Sequence, residues 1–402
     1  MTARTPALGF IFLTLLLDVL GFGLLIPVAP RLIEQLQGGT EKEAAPIVGL
    51  LAATYAAMQF LCAPMLGALS DRFGRRPVLL VALLGSGLDY VAMALAPTVP
   101  VLFVTRAVNG LSGASITVAS AYIADVTTPE KRAAGYGMMG AAFGLGFILG
   151  PLLGGILGDI DLRLPFYVAA GLTLCNWLYG LLVLPESLPK ERRSDISWSR
   201  ANPVGAFVGL FEHPRVIGMA AAGFFANLAQ FGLHATWVLY TGHRYGWGPR
   251  EVGFSLTAVG LGAAIVQGGL ARRIIPALGE RRSVLLGLGL GVIAYAGYGL
   301  ATHGWMIYLA IAVATMGGIA QPAAQAIITK GVEPNRQGSV QGALTGLQSV
   351  AQIIGPLVGS SAFSLAISGR LGFELPGLSF FVGAALAGAG WMIAAIVLRR
   401  HA

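Results

Sequence analysis

GALSDRFGRRPVLL, residues 67–80, sets one acid and three arginines between two long apolar runs. The run before it, residues 47–66, and the run after it, residues 78–96, each come close to the roughly 20 residues that cross a hydrocarbon core as a helix. A stretch this polar between segments this apolar predicts a short hydrophilic hairpin loop joining two membrane-spanning helices. Within it Gly67, Asp71, Gly74, Arg75 and Arg76 form the pattern G-x-x-x-D-x-x-G-R-R. A plain connector needs few residues at fixed positions, so this loop is expected to carry a task.

Composition places the rest of the chain in the same setting. Of 402 residues 11% are charged and 55% hydrophobic, too few polar side chains to cover a soluble domain of this size. Cys62 and Cys175 both fall in apolar runs without metal-site spacing, and are expected to serve as small packing residues. The first run starts near Ala7, is long enough to span and has no small-x-small cleavage site, so it is expected to be retained. Apolar runs bounded by charge centre near residues 18, 57, 87, 112, 146, 175, 228, 261, 292, 317, 350 and 387, which makes twelve spans and puts both termini on one side.

The net charge of +8 would suit a nucleic-acid partner, but its distribution does not. Alternate loops collect the basic residues, among them Arg72, Arg75, Arg76, Lys131, Arg132, Lys190, Arg192, Arg193, Arg272, Arg273, Arg281, Arg282, Lys330 and Arg336, with Arg4, Arg399 and Arg400 at the termini. Arg31, Lys42, Arg163, Arg244, Arg250 and Arg370 are the main basic residues of the other side. The excess marks the cytoplasmic face and places both termini there. No phosphate-cradling G-x-x-x-x-G-K-[ST] loop, metal set or nucleophile–base pair is visible, so neither an ATP-driven pump nor an enzyme is expected, and no cofactor.

PESLPKERRSDISWSRANPVG, residues 185–205, is the longest polar stretch and divides the chain near its middle. It predicts a six-helix bundle over residues 1–187, a cytoplasmic linker over 188–214 and a second six-helix bundle over 215–402. The halves repeat one another. TTPEKRAAGYGMMGAAFGLGFILGPLLGG (127–155) aligns with VEPNRQGSVQGALTGLQSVAQIIGPLVG (332–359), matching Pro129 to Pro334 and Pro151 to Pro356. A weaker match pairs Gly74-Arg-Arg-Pro-Val-Leu-Leu with Gly279-Glu-Arg-Arg-Ser-Val-Leu-Leu, where Asp71 has no counterpart. Two parallel halves, each built from inverted three-helix repeats, is a transporter construction in which a midplane site is opened to each side in turn.

Ionisable groups inside the runs cost roughly 2.5–3.5 kcal/mol each to insert at mid-helix. Asp18, Asp89 and Arg106 are the strongly charged ones, all in the first half. Asp18, with Gly21 and Leu25 on its helical face, is placed to pick up a proton near neutral pH; the alternative is a structural carboxylate paired with Arg106 or a neighbouring helix. Asp89 admits the same two readings. Arg106 keeps its charge, so it would bias a neighbouring carboxylate rather than carry the proton. GAAFGLGFILGPLLGG puts Gly140, Gly144, Gly146, Gly150, Pro151, Gly154 and Gly155 on one helix, which suits close but pliable helix contact.

The second half offers amides instead. Asn227, Gln230 and His234 stand at i, i+3 and i+7; Gln321 and Gln325 at i, i+4; and Gln341, Thr345, Gln348 and Gln352 lie along one face. Gln59, Asn109 and Gln267 add to the set. Such stripes face the protein interior, as interhelical glue or as the lining of a substrate cavity.

With these residues in hand, the chain resembles the major facilitator superfamily, and within it the drug/proton antiporters of the tetracycline-resistance group. The resemblance covers nearly the whole length, through LLLDVLGFGLLIPVAP with Asp18, MQFLCAPMLGALSDRFGRRPVLL with Gln59 and Asp71, GSGLDY with Asp89, TRAVNGLSGA with Arg106, IADVTTPEKR with Asp125, and FGLGFILGPLLGG. It implies an all-α fold of twelve transmembrane helices in two pseudo-symmetric halves, in the inner (plasma) membrane, working as a monomer. The implied activity is export of a hydrophobic or amphipathic small molecule against protons. It further implies a cytoplasmic gate formed by Gly67, Asp71, Arg72, Gly74, Arg75, Arg76 and Asp125, a coupling role for Arg106, and an antiport role for the glycine run from 144 to 155. Two features depart from that group, which carries a histidine in helix 8 and an aspartate in helix 9 where this chain has Ala263 and Gly291, and this weakens the case for tetracycline–magnesium as cargo. A proton-coupled sugar or metabolite symporter of the same fold and a non-transporting scaffold or sensor are the alternatives.

Overall fold

A computed structural model describes residues 5–112, 115–128, 131–193, 214–333, 337–370 and 372–400. Most of the expected linker, residues 194–213, and the repeat's Pro129 and Pro334, with Arg4 and Arg336, lie outside the described residues. The described chain is helical, with no strand among its residues. The first half contains α1 (Thr5–Leu25), α2 (Ala29–Gln37), α3 (Glu41–Phe73), α4 (Arg75–Leu95), α5 (Val99–Ser112), α6 (Ser115–Val126), α7 (Arg132–Ile160) and α8 (Leu164–Val183). The second contains α9 (Pro214–Tyr245), α10 (Pro249–Ile265), α11 (Ala271–Leu278), α12 (Glu280–Leu300), α13 (Gly304–Gly317), α14 (Ala320–Lys330), α15 (Gln337–Ala366) and α16 (Leu378–Arg400). Eleven described helical segments are long and apolar enough to span, and the remaining span consists of the shorter apolar α5 and α6. This accounts for the twelve runs; the short α2 lies outside them.

The hairpin expected at 67–80 is not a loop. Helix α3 continues through Gly67 and Asp71 to Phe73, α4 starts at Arg75, and Gly74 alone is non-helical, at φ 104°. Polar residues are as compatible with helix as apolar ones once a span leaves the membrane, so the turn falls where glycine permits the left-handed region. Two other spans are interrupted near their middles. Between α10 and α11, Val266–Leu270 forms a π-turn, and α13 gives way to α14 at Gly318–Ile319.

The chain divides into two compact units: Met1–Gln37, Thr54–Pro203 and Gly248–Thr257 form one, and Gly38–Ala53, Val204–Trp247 and Ala258–Ala402 the other. The first unit's core gathers Phe10, Ile11, Leu15, Leu79, Leu83, Tyr122 and Ile123. The second unit's core gathers Val216, Met219, Val284, Ile327, Ile328 and Leu398. Outward positions such as Leu61, Val81, Leu182, Leu309 and Ile396 are apolar and exposed, as a lipid-facing surface requires. Cys62 is buried, but Cys175 is exposed, so the packing role expected for it is not met.

Lipid tails are as apolar as leucine, so helices associate in the membrane through close backbone approach at small residues. In the first unit α7 lies on α1 in this way. A Cβ on Gly150 would sit 2.7 Å from the Gly23 Cα and 2.9 Å from the Leu20 carbonyl, and one on Gly146 2.8 Å from the Val19 side chain. In the second unit α15 meets α9 likewise: a Cβ on Gly355 would lie 2.9 Å from the Leu228 carbonyl, and one on Gly359 2.7 Å from the Gly232 Cα. Pro151 and Pro356 sit inside these matching helices. The sequence repeat is thus a repeat of one helix–helix contact. Gly140 and Gly144 are a correction, since Cβ atoms there would meet open space. Gly150→Ala is expected to destabilise the protein by about 1–3 kcal/mol through overpacking against backbone. Gly140→Ala should be close to neutral, both read from thermal unfolding in detergent.

Candidate functional site

The first unit holds a buried cluster of charge. Helix α4 turns Asp89 inward with Ser86, Tyr90 and Met93, leaving Asp89 4% exposed. Helix α5 brings Arg106 and Asn109, one turn apart, to the same place. Asn109 donates its side-chain amide to Asp89 Oδ2, and the Arg106 guanidinium stands 4.0 Å from that oxygen. Arg106 also reaches the Met93 sulfur and lies over the Tyr55 ring, 5.8 Å from its centroid. Gln59, one turn along α3, donates to the Tyr55 hydroxyl at 3.4 Å. Asp89 Oδ1 and Arg106 Nε are buried and meet no hydrogen-bond partner in standard geometry among the described residues.

Asp18 joins from α1. It is half-buried, and its charge acts on both Tyr55 and Tyr90. Gly21, one turn further on, lets the Tyr90 ring approach to 3.4 Å from where a Cβ would stand. All three ionisable residues singled out from sequence therefore surround one pair of tyrosines. The Arg106 guanidinium stands within 4.0 Å of the Asp89 carboxylate. Asn109, expected along a cavity, is 6% exposed and belongs to the carboxylate.

A second cluster sits at the basic end of the same unit. Arg75 pairs with Asp71 at 2.6 Å and with Asp125 at 3.1 Å, and also donates to Ser70. Ser187 donates to Asp125 at 3.1 Å. The Glu186 carboxylate accepts the backbone N–H groups of Arg75, at 2.9 Å, and Arg76, at 3.3 Å, so it caps the start of α4 where an anion is favoured. Arg76 donates to the Leu181 carbonyl at 2.7 Å. A side chain at Gly74 would run into the Glu186 carboxylate as well as strain the backbone. Arg72 stands apart, stacked over the Phe73 ring, and Gly67 faces open space.

In the second unit Gln230 and His234 contact each other at 2.8 Å on an exposed face of α9, and the buried Tyr295 donates to Gln230 at 3.4 Å. Asn227 is half-buried one turn before Gln230. Gln325 donates to Gln341 at 2.8 Å, joining α14 to α15 beside an open cleft of about 240 Å³ lined also by Thr329 and Gln337. Here two amides join neighbouring helices and border a cleft. Gln321 and Gln348 are exposed and Gln352 is half-buried. Gln267 is exposed within the π-turn, its amide near Gly318 where α13 ends. Interrupted helical turns of this kind are frequent at functional sites.

Sequence reasoning missed Tyr55, Tyr90, Tyr295, Ser70 and Glu186. Tyr55 could have been found, being four residues before Gln59 and so on its face. Glu186 was visible as the acid closing the sixth span, but its partner lies 111 positions away.

The sequence matches the Major Facilitator Superfamily over residues 11–356. It is 38% identical over 396 residues to the class C tetracycline resistance protein of Escherichia coli, spanning 98% of this chain and 97% of that protein. It is also 38% identical, over 387 residues, to the class G tetracycline resistance protein of Vibrio anguillarum, spanning 96% and 95%. Among solved structures, the crystal structure of the human organic anion transporter MFSD10 superposes with a TM-score of 0.71 at 27% identity, over 98% of this chain and 100% of that one.

Removing the cation from the buried cluster should be costly. At alkaline pH Arg106→Leu is expected to lower stability by about 3 kcal/mol, because Asp89 is left buried without its counter-charge. The double variant Asp89→Asn with Arg106→Leu should recover much of that in thermal unfolding. Gly74→Ala should cost at least about 1–2 kcal/mol from its left-handed backbone alone, read the same way.

Proposed function

The chain belongs to the major facilitator superfamily, a multi-pass membrane transporter and not an enzyme, and on that premise we propose that it exports a hydrophobic or amphipathic small molecule in exchange for protons. The observation that carries this reading is a count of charge. Among the described residues, two carboxylates, Asp18 and Asp89, and one guanidinium, Arg106, stand around Tyr55 and Tyr90. Unprotonated, the cluster holds one negative charge too many for a medium of low dielectric; one proton balances it. Protonation and substrate binding then become alternative ways of satisfying the same site.

In this proposal the halves 1–187 and 215–402 move about the linker 188–214, and the Asp71–Arg75–Asp125 cluster with Gly67, Arg72, Gly74 and Arg76 gates the cytoplasmic side. The glycine run through Gly146, Gly150, Pro151, Gly154 and Gly155 supplies the pliable contact, with Gly144 on the same helix but facing open space. Gln230, His234, Gln267, Gln321, Gln325, Gln348 and Gln352, with Asn227, offer neutral hydrogen-bond partners to the substrate. The named relatives make tetracycline the first compound to test, while Ala263 and Gly291 leave no charge at their positions to hold a chelated metal. The basic face lies in the cytoplasm with both termini, the protein sits in the inner membrane, and the working unit is a monomer.

Everted membrane vesicles give the test. Energised vesicles bearing the native protein should accumulate members of a panel of tetracyclines and lipophilic cations and release protons in return, and Asp18→Asn should reduce both to background. Undiminished proton-driven uptake by Asp18→Asn sinks the coupling scheme, and accumulation of sugars or metabolites by intact cells would favour symport instead.

A further inference from the structure

The repeat places a reversed ion pair in the second unit. Gly74 and Gly279 stand 205 positions apart, as do Arg75 and Glu280, Asp125 and Lys330, and Pro151 and Pro356. The two glycines open α4 and α12 with nearly the same backbone, φ 104° and ψ 158° against φ 80° and ψ 154°. Where the first unit joins Arg75 to Asp125 at 3.1 Å, the second joins Lys330 to Glu280 at 2.7 Å. Fold position and partner are kept while both charges change sign.

The sign matters because each residue sits at a helix end. Glu280 occupies the first turn of α12 and Lys330 the last turn of α14, the ends whose partial charges attract them. Arg75 begins α4 and Asp125 is next to last in α6, so each meets a partial charge of its own sign. The first unit offsets this with further acids, Asp71 on the Arg75 guanidinium and Glu186 on the α4 N–H groups. In the second unit the position matching Asp71 is Pro276, and a Cβ on Gly279 would meet nothing within 4 Å where one on Gly74 would meet Glu186.

We infer that Glu280 and Lys330 are a positioning pair, a self-sufficient clamp that holds the start of α12 to the end of α14 through the whole transport cycle, whereas its first-unit counterpart depends on additional carboxylates and is the one built to release. The two designs differ in what opening costs. Among the described residues Lys330 and Glu280 pair only with each other, so breaking that pair gives up its attraction outright, while Arg75 has two acids at hand, Asp71 and Asp125.

Two measurements on the full-length protein in nanodiscs test this. Hydrogen exchange at the first hydrogen-bonded amides of α12, from Ser283 onward, needs no substrate. It should quicken about twofold to fivefold in Glu280→Lys and in Lys330→Glu, the size of one exposed charge pair with its helix dipoles. The double variant Glu280→Lys with Lys330→Glu remakes the pair against both dipoles, so its rate should fall back part of the way. Bridging Glu280→Cys to Lys330→Cys with a bis-thiosulfonate, in a background carrying Cys62→Ala and Cys175→Ala, should leave transport of tetracycline or ethidium above half that of the unbridged protein. A double variant exchanging as fast as the faster single one overturns the inference, as does loss of transport on bridging. If neither compound is carried by the native protein, the substrate proposal fails separately and the exchange measurement alone decides.

Discussion

A carboxylate in hydrocarbon must be neutralised or answered, and the first unit is organised around that demand. Asp89 is 4% exposed in the apolar span of α4, so its neighbours are constrained to be Asn109, a donor, and Arg106, a cation. Arg106 in turn requires somewhere to rest a desolvated guanidinium, which the Tyr55 ring supplies. Asp18 adds a second negative charge to a site with one positive one. Under the proposed proton exchange, a cluster one proton short of neutrality would link the packing of these helices to proton supply.

The same scarcity of solvent explains the glycines. Water drives helices together in soluble proteins, but between lipid and leucine there is little to gain, so contact has to come from backbones that approach closely. The α1–α7 and α9–α15 contacts use Gly150 and Gly355 in the same way, each followed by a proline that leaves the helix without one hydrogen bond. Contacts made of backbone and small residues hold firmly yet present no long side chains to disentangle.

At their basic ends the two units solve a shared problem with opposite charges. Lys330 and Glu280 agree with the dipoles of the helices that carry them, and two residues suffice. Arg75 and Asp125 disagree with theirs, and a network of Ser70, Asp71, Glu186 and Ser187 grows around them. Duplication therefore preserved geometry while the energetics of the copies diverged.

Residue pattern alone determined the class of this protein. Run length, charge placement between runs and the repeat around Pro151 and Pro356 are local or periodic properties, and a membrane leaves few folds that can satisfy them. The three intramembrane charges could be picked out for the same reason, because their cost does not depend on who their neighbours are. Who those neighbours are was decided by tertiary structure. That Arg106 attends Asp89, that Tyr55 and Tyr90 complete the cluster, that Glu186 caps a helix 111 positions away, and that a supposed loop is two helices hinged at Gly74 all depend on distances set by packing. Periodicity reports which face of a helix a residue occupies, and it is silent on what the opposite face of another helix brings to meet it.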